Sequence, residues 1–96
     1  MLQPEPQFER NPDFIFRKII DEFILVPIHQ DVADMDCIYT LNNVGAYVWE
    51  QLAQKASQSE LQTALLEEFD AEPAILAADL ENFLNEMTAI GALRKV

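Results

Sequence analysis

"IYTLNNVGAYVWEQL", Ile38 to Leu52, starts as a strand and ends as a helix, with two asparagines at the join. On its N-terminal side "CIYTL", Cys37–Leu41, splits into two alternating faces, Ile38 and Thr40 against Cys37, Tyr39 and Leu41. On the other side Val44, Val48 and Leu52 recur at four-residue spacing with Trp49 and Ala53 beside them, an amphipathic helix to about Gln54. Asn42 or Asn43 caps that helix, because an asparagine side chain accepts from the free N–H groups of a first turn. Gly45 inside it costs about 1 kcal/mol relative to alanine, which suits a place where another backbone passes close by. A strand set against a helix without a loop is either compact packing or an edge to which something else pairs.

Working outward, "FIFRKII" (Phe14–Ile20) and "FILVPI" (Phe23–Ile28) are apolar, aromatic or β-branched runs joined by Asp21-Glu22, which predicts a hairpin. Pro27 has no ladder donor and is expected near a strand end or at an edge. "HQDVADMD", His29–Asp36, is polar and aperiodic and is expected to be a loop. Beyond the first helix, Ser57 followed by Glu60 is a capping box, and Leu61, Leu65 and Phe69 line the helix it opens. Pro73 suits the first position of a third helix, whose stripe is Leu76, Leu80, Phe83, Leu84, Met87 and Ile90. Gly91 can take the left-handed conformation that ends a helix, and "ALRKV" is a short tail or one more strand. Residues 1–13, with Pro4, Pro6 and Pro12, are expected to be a loose arm on a domain spanning 14–96, with Phe8 free to dock. Three antiparallel strands followed by three helices make an α+β fold.

The chain has 96 residues, half of them hydrophobic, enough for one domain with a real core. Its formal net charge is -11, from 17 acids against 6 bases. Between Ala56 and Leu93 there is no Lys or Arg, while Glu60, Glu67, Glu68, Asp70, Glu72, Asp79, Glu81 and Glu86 all fall there. Helices of that charge repel a phosphate backbone, so nucleic acid is not expected as a partner. The single cysteine rules out an internal disulfide and fits a reducing cytoplasm. The N-terminus lacks the pattern of a signal peptide, and no apolar run is long enough to span a membrane.

Little in the chain suggests catalysis. His29, Asp31, Asp34 and Asp36 cluster, but the calcium-loop template requires a Gly where Asp34 stands. One His and one Cys do not make a zinc site. Cys37 lies inside a predicted strand, where lone cysteines are usually buried and inert. With two glycines the chain has no nucleotide cradle. No enzyme, cofactor or metal is expected. The edge is more informative: three strands cannot close, and "CIYTL" carries none of the charge, Pro or Gly that usually protects an edge. Such an edge accepts an added strand.

The order and spacing of Leu41, Asn42, Gly45, Ala46 and Trp49, then Asp79, Phe83 and Leu84, then Gly91 and Leu93, resemble the PqqD-like family across about residues 14–95. The resemblance implies a winged-helix-like peptide recognition element, which binds the leader of a ribosomally made precursor peptide against its third strand, with the third helix as the other wall. It also implies a modifying enzyme, often of the radical SAM type, to which the leader is presented. The long His29–Asp36 loop, and "AQKAS" where relatives often place a Gly, point to the wider group of peptide modifications more than to quinone biosynthesis itself.

The expected peptide-binding residues are therefore Cys37, Ile38, Tyr39, Thr40 and Leu41 through their backbone, with Asp79, Asn82, Phe83, Glu86 and Met87 for selectivity. The helix set follows i, i+3, i+4, i+7 spacing. Tyr39→Pro is expected to remove a donor from the added ladder. The alternatives are a self-associating subunit, such as a homodimer paired through the same edge, and a winged-helix DNA-binding regulator, which the missing bases disfavour.

Overall fold

The computed structural model describes residues 5–28 and 39–96. His29, Asp31, Asp34, Asp36, Cys37 and Ile38, from the expected loop and the first two residues of the expected third strand, lie outside them. The described elements are β1 (Gln7–Arg10), β2 (Phe14–Ile19), β3 (Glu22–Pro27), β4 (Tyr39–Leu41), α1 (Asn43–Gln51), β5 (Ala56–Ser57), α2 (Gln58–Glu68), α3 (Pro73–Ala89) and β6 (Leu93–Lys95). They form an α+β fold with two antiparallel sheets, ordered β2-β3-β4 and β5-β1-β6.

The β2-β3-β4 sheet and the three helices follow the expected order, with local differences. The hairpin turns at Ile20-Asp21, not Asp21-Glu22, because Ile19 pairs with Glu22. Ile20 sits there at φ 54, a left-handed conformation that a β-branched residue adopts at a cost. Helix α1 ends at Gln51, earlier than Gln54. The second sheet is the larger difference. Gln7–Arg10, expected to be loose, is its central strand, paired to β5 on one side and β6 on the other. Phe8 is only 6% exposed and belongs to the core. Asn11 extends the attachment, donating its backbone N–H to Ala92 O and its side-chain amide to Gly91 O, both at 2.8 Å.

Side-chain chemistry sets most boundaries. Asn42 is extended and its Oδ1 accepts from the Gly45 N–H at 2.8 Å, so one residue ends the strand and caps the helix. Ser57 and Glu60 form a reciprocal capping box at the start of α2. Pro73 opens α3. Gly91, at φ +86, closes it: its N–H bonds to Thr88 O while the Ala92 N–H reaches Met87 O, a Schellman arrangement. The helices and the inner face of β3-β4 enclose Leu25, Leu41, Val48, Trp49, Leu65, Leu80 and Leu84, all buried.

Candidate functional site

Strand β4 is an edge of its sheet: β3 covers one side, and no described strand covers the other. The register decides which of its backbone groups face outward. The Ile28 N–H donates to Asp13 O at 2.7 Å, which makes residues 22, 24, 26 and 28 the hydrogen-bonding partners of β2. Alternation leaves Phe23 and Leu25 to bond to β4 through their opposites Leu41 and Tyr39. Thr40, opposite Ile24, thus turns its N–H and C=O away from β3. Its side chain is exposed, whereas those of Tyr39 and Leu41 share the inner face with buried Leu25.

Beside this edge lies a groove of about 340 Å³. One wall is Tyr39, Thr40, Leu41, Asn42 and Val44; the other is Asp79, Asn82, Phe83, Glu86 and Met87 on α3. The fold thus brings together every described residue of the expected peptide-binding set. Asp79, Asn82 and Glu86 are exposed, while Phe83 and Met87 are buried beneath them. Of the family motif, Asn42 lines the groove, Gly45 adjoins Phe83, and Ala46 and Trp49 lie in the core. A Cβ on Gly45 would come within 3.0 Å of the Phe83 ring and 3.3 Å of Asn42 Oδ1. Gly45 therefore makes room for an aromatic side chain, not for another backbone as the sequence suggested. Val44 was not among the expected site residues; its helical spacing marks it for the core, and its first-turn position beside β4 turns it to the groove.

A larger cleft, about 860 Å³, lies between β1, α1 and the β2-β3 hairpin. Its size does not make it the better site, because its cations are stacked on its own aromatic walls. Arg10 lies 5.3 Å from the Trp49 ring centroid and Lys18 5.5 Å from that of Phe23. Arg10 also donates through Nε, at 2.8 Å, and Nη2 to Trp49 O. Burial pushes the Arg10 guanidinium below its ordinary pKa, against an upward pull from Glu50. Strand β2, the second edge of this sheet, carries Arg17 and Lys18, charges that discourage strand addition. No group of three metal-ligating side chains occurs among the described residues. None of the described helices is long and apolar enough to cross a membrane.

Fold and groove define a small α+β domain with an open strand edge set against a helix. The family model for Coenzyme PQQ synthesis protein D (PqqD) matches residues 22–93, and the chain belongs to that family. No curated protein matches the sequence. Among solved structures the chain is similar to TbiB1 in complex with the TbiA(beta) leader peptide, at 20% identity and a TM-score of 0.70, over 90% of this chain and 94% of that one. It is also similar to a lasso peptide synthetase B1 complexed with the leader peptide, at 15% identity and a TM-score of 0.68, over 91% and 96% of the two chains. At these identities the likeness is one of fold.

Proposed function

We propose that this protein is a non-catalytic recognition domain. It binds the leader of a ribosomally made precursor peptide as a strand added to β4 and presents it to a modifying enzyme, in quinone biosynthesis or a related peptide modification. The observation that carries this reading is the outward amide and carbonyl of Thr40 at an edge that shares one groove with the exposed line of α3. Family membership supports it, as do two neighbours of the same fold that hold leader peptides. The domain supplies binding and orientation, and the chemistry belongs to the enzyme, a radical SAM protein being the expected type. The cytoplasm, where precursor peptides are made, is the expected compartment.

The test is an NMR titration of the protein with synthetic leaders of the small peptides encoded beside its gene. Shifts confined to residues 39–44 and 79–87 are expected. Saturating peptide that leaves those amides unmoved would overturn the proposal. If the same amides instead move on raising the protein concentration alone, the edge serves self-association, which light scattering would register as a dimer.

A further inference from the structure

We infer that the leader segment taken up in this groove is cationic, an apolar side chain flanked on the same face by Lys or Arg two residues away. This rests on the strand-addition reading and names the chemistry of its ligand.

A strand paired to Thr40 places its central residue opposite Thr40. That side chain follows Thr40 to the outer, solvent face. The residues on either side of it lie opposite Tyr39 and Leu41 and turn inward, toward α3. Successive inward positions of an extended chain are about 6.7 Å apart. The groove facing them has apolar lining, Phe83 and Met87 from α3 with Val44 from α1. Exposed carboxylates stand on both sides of Phe83 along the helix: Asp79 is four residues before it and Glu86 three residues after. At the rise of an α-helix these offsets are about 6 and 4.5 Å. With the added strand running along α3, a side chain over Phe83 has neighbours two residues away within reach of a carboxylate, and the long stems of Lys and Arg cover the remaining mismatch.

Neither carboxylate has an ion-pair partner among the described residues. The one ion pair among the described residues is Arg94–Glu9, on the other sheet, and there is no base between Ala56 and Leu93. In a chain of net charge -11, an acidic leader segment would bring like charges together in this groove, and a basic one would relieve them. Exposed pairs of this kind change affinity by roughly 1.5- to 5-fold each, and the gain fades with salt. Their contribution is selectivity, while the backbone pairing at Thr40 supplies the binding mode.

The experiment is selection of a displayed library of random twelve-residue peptides on the intact protein at low salt. The binders are then measured against the wild type, an Asp79→Asn/Glu86→Gln double variant and Thr40→Pro. Both carboxylates are exposed, so the double variant is expected to fold normally. Expected are binders enriched in Lys or Arg two residues from an apolar position, weakened several-fold by the double variant or by added salt, and lost with Thr40→Pro. Binders lost with Thr40→Pro but without basic enrichment, and indifferent to the double variant, would overturn the inference while leaving strand addition intact. Binders indifferent to Thr40→Pro would overturn strand addition, and the inference with it.

Discussion

Proline at Tyr39 and proline at Thr40 should have opposite consequences, although the two residues are neighbours on a three-residue strand. The Tyr39 N–H faces Leu25 across the ladder, whereas the Thr40 N–H faces away from it. Tyr39→Pro thus removes an internal hydrogen bond, a net loss of about 1 kcal/mol, and strands the carbonyl of fully buried Leu25 at about 1–3 kcal/mol more. Lost packing of the half-buried tyrosine ring brings the total to about 3 kcal/mol or above. A domain of this size has roughly 5–14 kcal/mol of stability in all, so the variant should be visibly destabilised. Thr40→Pro removes no bond to β3. Its cost is the restriction of φ on an edge strand, about 1 kcal/mol or less, since proline is tolerated where its nitrogen faces solvent. Yet it deletes the central donor offered to an added strand and puts a ring in its path, which should weaken leader binding at least about tenfold. Tyr39→Pro, which the sequence alone nominates as the binding test, is therefore chiefly a test of stability. Urea unfolding followed by Trp49, the single and buried tryptophan, measures the first effect, and peptide titration of the folded variants measures the second. Equal destabilisation by both prolines, or leader binding by Thr40→Pro at wild-type affinity, would refute the assigned alternation.

Three further outcomes can be checked alongside. Phe8→Ala should cost about 3 kcal/mol in urea unfolding, since the ring is buried on the central strand of its sheet, whereas a loose arm would show almost no change. Ile20→Gly should stabilise the protein by about 1 kcal/mol, because it removes a left-handed β-branched residue whose exposed side chain leaves little packing to lose; a lower unfolding midpoint would contradict this. Burial, and then Glu68 and Glu67, push the Tyr47 hydroxyl above its ordinary pKa of 10.0. A folded-state pKa that is raised gives stability that is complete below the ordinary value and lost as pH rises through the raised one. Tyr47→Phe should therefore lose less stability than the wild type above about pH 10, read from unfolding curves in alkaline buffers; parallel losses would remove Tyr47 as the cause.

Much of this protein is decided by chemistry that acts within a few residues. Asn42, the Ser57–Glu60 box, Pro73 and Gly91 set helix ends wherever those helices go, so their positions are legible in the chain. The period of 3.6 residues likewise places Asp79, Asn82, Phe83 and Glu86 on one side of α3 before its neighbours are known. The family resemblance then ties that side to the third strand. What no local pattern holds is pairing across long separations. Strand β1 has four residues, two prolines just outside it and partners about 50 and 90 positions away, so only the assembled fold makes "QFER" a strand and Phe8 a core residue. The direction of each amide on β4 is of the same kind. Alternation marks Thr40 as belonging to one face, but which groups bond to β3 depends on a register set by the hairpin closing at Ile20-Asp21. That turn places a β-branched residue in the left-handed region, which local preference argues against and the pairing of six residues on each arm outweighs.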